Sequence, residues 1–276
     1  MNNQIASIMP RRMVYLDVGA RGGIGKPWSK FRDCISLIMI EADEDEAQKI
    51  AMSNPGDLVI PCALYSKVGT IEINLCKVGR VSSIYKPNIP FLKNFHNLDR
   101  FMIEKIVSAK TTTIDTLVAE GVMDVDFAKI DVQGAELSVL KGGRRHLAEE
   151  VVGLNVEVEF ELIYERQPLF PEVEAFIRDE LGMDLYGIRK TFWNHRIHGK
   201  MPIWGDALFL RSPNTLFEWS SKFDAEKSRN KLIMALAAGI INGNSDYCRR
   251  LFESIAPDFF SDSDKSSWKN IIEKIQ

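Results

Sequence analysis

Through the first three quarters of the chain, short apolar, β-branched runs alternate with stretches whose apolar positions recur at helical spacing. This is the pattern of a parallel sheet covered by helices. Strands are predicted over residues 14–18, 36–41, 58–62, 127–131 and 153–160, each apolar enough to lie inside a covered sheet. Between residues 68 and 88 the pattern turns irregular. GTIEINLCK alternates as a strand does and KPNIP breaks it, which fits an inserted edge hairpin. Helices are expected after Asp115 (Leu117, Val118) and after Gly134 (Leu137, Val139, Leu140), each running into a glycine-containing stop. DLYGIR and GDALFLR read as an antiparallel pair separated by a long polar and aromatic loop, KTFWNHRIHGKMPIW. Beyond about Pro213 the composition changes to helical segments, KLIMALAAGII and DYCRRLFESI, divided by NGNS and SDSD turn signals. The expectation is an α/β domain over residues 1–212 and a small C-terminal helical appendage over residues 213–276.

Length and composition agree with that division: 276 residues at 45% apolar content can bury a substantial core. A net charge of only −3 supplies no global positive field for nucleic acid or an anionic membrane. Cys34, Cys62, Cys76 and Cys248 are too widely spaced for a zinc site and too few for a disulfide scaffold, so reduced thiols are expected. No charged start precedes a sustained apolar stretch, and no segment approaches the ~20 apolar residues needed to span a bilayer. These features lead to the expectation of a cytoplasmic protein without membrane insertion.

Candidate chemistry gathers at the predicted strand ends. LDVGARGGIG (16–25) places glycines directly after a strand, where backbone must pass close to a ligand. Arg21 stands where a GxGxxG turn has its second glycine, so a dinucleotide pyrophosphate is not supported and a cofactor lacking phosphates fits better. Asp17 can accept hydrogen bonds from an ammonium or a water, and the backbone from Gly19 through Gly22 to Gly23 can wrap the ligand. Glu41, roughly twenty residues on at the end of the second strand, can accept both ribose hydroxyls. The plainer alternative, an acidic and solvated helix start, suits Glu44 to Glu46 better than Glu41.

Asp131 ends the fourth strand on the edge where such sheets bind ligands, and is the first candidate for base or positioning group. An N-cap for the following helix is its competing role. Lys129 can orient Asp131 or reach solvent along its stem. Glu157 and Glu159 share one strand face, which calls for a polar active-site edge, a metal, or pairing with a cation. Asp131 with Glu157 could form an oxygen-rich magnesium site, but no spacing specifies one and no metal is assigned. His195 and His198, with Phe192, Trp193 and Arg196, suit carbohydrate stacking or proton transfer, and surface solvation equally.

FAKIDVQGAELSVLKGG (127–143) resembles the most recognisable segment of the FkbM methyltransferases. DVGARGG, IEAD, TTTIDTL, LNVEVEFELIYERQPLF and GDALFLR follow in that family's order, over roughly residues 14–211. Many members have Asn at the position of Arg21 and Pro at that of Ala42. The resemblance implies a Rossmann-like class I methyltransferase sheet with helices on both faces, S-adenosylmethionine as donor, and a hydroxyl of a sugar, glycan or natural product as acceptor. By position it implies Asp17, Gly19 and Glu41 in cofactor binding, with Asp131 and Gln133 beside the reaction site. With the residue reading, the catalytic candidates are Asp131, Glu157 and His195, and the cofactor-binding candidates Asp17, Gly19, Gly22, Glu41, Asp131 and Gln133. Two other classes remain in view: a non-catalytic cofactor-binding or assembly module whose C-terminal helices bind a protein partner, and a nicotinamide oxidoreductase, against which the missing GxGxxG counts.

Overall fold

The computed structural model describes residues 2–260 and 262–274. Among them, ten strands build two sheets: β1 (Met13–Val18), β2 (Ile35–Ile40), β3 (Leu58–Ile60), β4 (Ala63–Leu64), β5 (Gly69–Cys76), β6 (Ile103–Thr112), β7 (Phe127–Ile130), β8 (Gly153–Glu159), β9 (Asp184–His195) and β10 (Gly199–Leu210). Seven of these order themselves β3-β2-β1-β7-β8-β10-β9. The first five run parallel, while β10 is antiparallel to both β8 and β9. The chain leaves β1 towards β2 on one side and returns to β7 on the other. Beyond the carboxyl ends of β1 and β7 the strand order reverses, which opens the crevice where ligands of such sheets bind.

The helices are α1 (Asn2–Ile8), α2 (Glu44–Ser53), α3 (Ile89–Leu92), α4 (Ile114–Ala119), α5 (Glu136–Gly142), α6 (Arg144–Glu149), α7 (Phe170–Phe176), α8 (Pro213–Ser220), α9 (Ala225–Ile241), α10 (Ser245–Phe259) and α11 (Asp262–Ile272). Strand side chains alternate between faces, so β1 sends Leu16 and Val18 into a core with α4 to α7 and Tyr15 into a second core. That second core is closed by α1, α8 and above all α9, which is buried from Lys231 to Ile241. Among the described residues, no helix is long and apolar enough to cross a membrane.

Within that apolar helix, Lys231 is only 1% exposed. Its ammonium lies 3.1 Å from Asp126 Oδ1 and donates to the Glu150 carbonyl at 2.7 Å. Asp126 also accepts from Arg11 and from the Val14 N–H, so the C-terminal helices are tied to the start of β1 by buried charge. Lys231→Ala takes a buried cation from Asp126 and Glu150, leaving Arg11 as the counter-charge of Asp126, and is expected to cost about 3 kcal/mol of stability. Urea unfolding measures this, and a loss within experimental error would contradict the pairing.

The structure departs from the sequence pattern in two places. The strand at residues 69–76 does not close a short hairpin within residues 68–88, where a single bridge joins Asn74 to Ser83. It pairs with β6, with Ile71 opposite Ala109 and Ile73 opposite Val107, and β4 completes a three-stranded sheet. The KPNIP breaker leads instead into α3, capped by the Asn88 side chain, before the chain returns. KTFWNHRIHGKMPIW is not a long loop but the distal half of one hairpin. β9 and β10 stay paired as far as His195 opposite Gly199, and only residues 196–198 turn. Both faces of that ribbon carry polar residues, so the period of two is hidden.

Candidate active site

The first wall of the crevice is the turn after β1. Gly19 (φ 78°) and Ala20 donate their N–H groups to the Ile40 carbonyl at 3.0 and 3.1 Å, tying the turn to the end of β2. A Cβ on Gly19 would stand 1.9 Å from the Asp131 carbonyl oxygen, so the approach of the two strand-end turns itself demands glycine. Gly22 (φ 85°) faces the tip of Arg80, and Gly79 faces Arg21. The segment around residues 79–83 therefore leans over the turn.

Asp17 is 2% exposed, and its Oδ1 lacks a hydrogen bond. The Lys129 ammonium forms an ion pair with that oxygen at 3.2 Å and with Asp131 Oδ2 at the same distance. Burial, helped by Asp131 and Glu41 and opposed by Lys129, raises Asp17 to about 6. Glu41 is buried at the end of β2, and its Oε1 accepts the Asp43 N–H at 3.0 Å. Its carboxyl is pushed up by burial, with the Asp43 N–H and Arg21 pulling the other way. Asp43, not Glu41, caps α2, so the acidic run divides between a helix cap and a group at the crevice.

The opposite wall follows β7. Gln133 takes a left-handed conformation (φ 57°), as does Gly134 (φ 95°), and this turns the Gln133 side chain back over the strand ends. Its Nε2 donates to Asp131 Oδ1 at 3.1 Å and to Glu157 Oε2 at 2.6 Å, and its Oε1 accepts from the Tyr164 hydroxyl at 2.9 Å. The helix-cap role considered for Asp131 is not the one observed. The N-cap of α5 is Ala135 without a side-chain bond, while Glu136 Oε1 accepts the N–H groups of Val132 (2.7 Å) and Gly134 (3.2 Å).

Burial works against ionised Asp131, yet Lys129 and the donors Glu157 and Gln133 hold it below its ordinary value. Burial and the adjacent Asp131 charge push Glu157 well up, burial and Glu136 do the same to Glu159, and burial brings Glu136 to about 7.

These walls enclose a cleft of about 1620 Å³, larger than the ~300–1,000 Å³ usual for a single small ligand. Asp17, Gly19, Gly22 and Glu41 lie along the β1–β2 side of it, Asp131, Gln133 and Glu157 along the β7–β8 side, with Glu159, Tyr164, Trp193 and Trp204 beyond them. His195 is not brought to this group and needs correcting as a catalytic candidate. Its Nδ1 accepts the N–H groups of Ile197 and His198 at 3.1 Å in the hairpin turn, and its ring packs on Phe95. Tyr164, Ser83 and Glu136 went unmarked in the sequence. Ser83 Oγ donates to the Gln133 carbonyl at 2.6 Å. Glu136 reads in sequence as an ordinary acidic first turn, and the tyrosine's role depends on a contact 31 positions away.

A parallel sheet with this switch point, a glycine turn and an acidic strand end beside it, and an antiparallel hairpin at one edge is the Rossmann-like sheet of class I methyltransferases. Residues 17–183, well over half of the chain, match the Methyltransferase FkbM domain, and the chain belongs to that family. It is an S-adenosylmethionine-dependent methyltransferase. Among curated proteins none matches.

Several solved structures are similar to it in part. A TehB-like S-adenosylmethionine-dependent methyltransferase from Corynebacterium glutamicum is 13% identical over 76% of this chain and 86% of its own, with a TM-score of 0.35. TrmK of M. capricolum, in complex with S-adenosylhomocysteine, is 10% identical over 99% and 94%, with a TM-score of 0.37. The 1,6-didemethyltoxoflavin-N1-methyltransferase of Burkholderia thailandensis is 11% identical over 76% and 78%, with a TM-score of 0.33. At such identities and scores their substrates do not pass to this chain.

Proposed function

We propose that the protein is an O-methyltransferase acting on a hydroxyl of a sugar, glycan or glycosylated natural product. The observation that carries this reading is the Asp131 carboxylate, bridged to Glu157 by the Gln133 amide, between the glycine turn and the aromatic wall of Trp193 and Trp204. The residues on the β1–β2 side fit the cofactor. Gly19 lets the turns after β1 and β7 close together beside the cleft, the buried Asp17 carboxyl lines it, and Glu41 stands at the end of β2 where ribose hydroxyls would be met. When bound, S-adenosylmethionine supplies an electrophilic methyl group on a sulfonium whose C–S bonding pair stays on sulfur.

The chain's own residues have two tasks. Trp204, and the side of Trp193 not covered by the Arg100 guanidinium, can stack a sugar ring and so position the acceptor oxygen for in-line attack. Asp131, kept ionised by Lys129, accepts the hydroxyl hydrogen bond and takes its proton as the C–O bond forms. Burial and the Asp131 charge push the Glu157 carboxyl well above its ordinary value beside it. The acids Asp131, Glu157 and Glu159 at the acceptor end disfavour a nucleic-acid phosphate backbone. We place the protein in the cytoplasm, which suits its four free cysteines.

The direct test follows formation of S-adenosylhomocysteine against a panel of sugars, glycosides, hydroxylated metabolites and a mixed RNA. Turnover with a glycoside supports the reading, and turnover confined to RNA overturns it. Cofactor affinity also carries a pH signature. The cationic cofactor favours ionised Asp17, whose value in the free protein is about 6. Affinity is therefore full above about pH 7 and declines as pH falls through 6, by at most about tenfold per unit. Calorimetry between about pH 5 and about pH 8 measures it, and a flat profile contradicts the role of Asp17.

A further inference from the structure

Arg100, in the short helical turn before β6, lines the cleft together with Trp193 and Tyr164. Its guanidinium carbon stands 4.6 Å from the centroid of the Trp193 ring and 4.8 Å from that of Phe101, so two aromatic rings fix the cation. Nε is enclosed there without a hydrogen bond, while the terminal amino groups, equally unbonded, stay open to the cleft. The other basic groups of the cleft wall differ. Arg21 pairs with Asp43, Lys129 with Asp17 and Asp131, and Arg189 with Asp206. Lys26, Arg80, Lys105 and Lys110 are exposed. Asp99, the acid beside Arg100 in the chain, turns to Lys77, and among the described residues no carboxylate pairs with Arg100. Burial lowers its guanidinium below the ordinary value, with only the Tyr164 hydroxyl working against this. Enclosing a cation without counter-charge is costly, so an anion that arrives with a ligand supplies what the chain does not.

The position of Arg100 decides which ligand. Phe101 packs edge-on against Tyr164, whose hydroxyl donates to Gln133 Oε1, and the Gln133 amide holds Asp131. The cation thus stands one tyrosine away from the reacting end, whereas Asp17, Gly19 and Glu41 lie along the β1–β2 side. We infer that Arg100 is a specificity-determining residue that binds a carboxylate carried by the acceptor, as on a uronic acid. Its two terminal amino groups match the two carboxylate oxygens in parallel hydrogen bonds. The sugar rests on the O-methylation reading, whereas the carboxylate rests on Arg100 alone.

The test compares methyl glucuronide with methyl glucoside, which differ only in a carboxylate against a hydroxymethyl group. Binding is titrated by saturation-transfer NMR on protein loaded with S-adenosylhomocysteine, and methyl transfer is followed with S-adenosylmethionine. The glucuronide is expected to bind about tenfold or more tighter, and Arg100→Gln to bring the two within about twofold of each other. Arg100→Lys keeps part of the preference, because it retains the charge but not the planar fork. In turnover the difference falls on KM rather than kcat. Circular dichroism and S-adenosylhomocysteine affinity on the same variants report the fold and the cofactor site. Wild type that binds both glycosides equally, or neither, overturns the inference. So does a preference that folded Arg100→Gln leaves intact, or a loss of S-adenosylhomocysteine affinity in that variant, since the carboxylate held is then the cofactor's own. Arg100-dependent glucuronide binding without methyl transfer to either glycoside upholds the carboxylate site and contradicts the O-methylation reading, and equal transfer to both does the reverse.

Discussion

Gly19→Ala removes cofactor binding, and the neighbouring glycines show why the effect belongs to this position. At Gly19 the new methyl meets the Asp131 backbone oxygen at 1.9 Å, at a φ of 78°. Neither can relax without separating the turns after β1 and β7. Backbone strain and overpacking each cost about 1–3 kcal/mol, so a destabilisation of about 2–6 kcal/mol is expected with a crevice that no longer closes around its ligand. Gly22→Ala meets only the flexible tip of Arg80 at 2.7 Å, and at Gly23 nothing lies within 4 Å. Both carry the cost of positive φ alone, about 1–2 kcal/mol. Thermal melts and titration with S-adenosylhomocysteine rank the three, and equal losses at Gly19 and Gly23 would refute the close-approach account.

Asp131→Asn lowers turnover by about 10²–10⁴-fold while changing cofactor affinity little. Asparagine retains the size of the side chain and can still meet Gln133. It gives up the charge paired with Lys129 and the capacity to take a proton. Single-turnover kinetics at saturating cofactor isolate this loss from binding. Unchanged turnover would remove Asp131 from the chemistry and shift attention to Glu157.

The sheet was legible in the chain because its central strands β1, β2 and β7 are largely buried on both faces and read as nearly continuous apolar runs. The expected ends were one or two residues too long at several of them. Glu41 and Asp131 follow β2 and β7 rather than belonging to them, which is also what frees their carboxyls for the crevice. The three-stranded sheet was not legible, since β5 finds its partner β6 across a breaker and α3, and loop closure of that kind leaves no local signal. At the site, residues along the glycine turn and the first, second and fourth strand ends could be named from position. The Gln133 bridge could not. It depends on a left-handed backbone at a glutamine and on a tyrosine hydroxyl from the segment after β8. His195 misled because a histidine among aromatics has the composition of a binding loop, while its ring nitrogen is used in closing a hairpin turn.

The account rests on cofactor recognition by Asp17 and Glu41 at the ends of β1 and β2. Calorimetric titration of S-adenosylhomocysteine into wild type, Asp17→Ala and Glu41→Ala, with circular dichroism to confirm folding, tests this most directly. The account predicts one site per chain in wild type and affinity weakened by about tenfold or more, roughly 1.4 kcal/mol, in each folded variant. Folded variants that bind as tightly as wild type would place the cofactor elsewhere and contradict it.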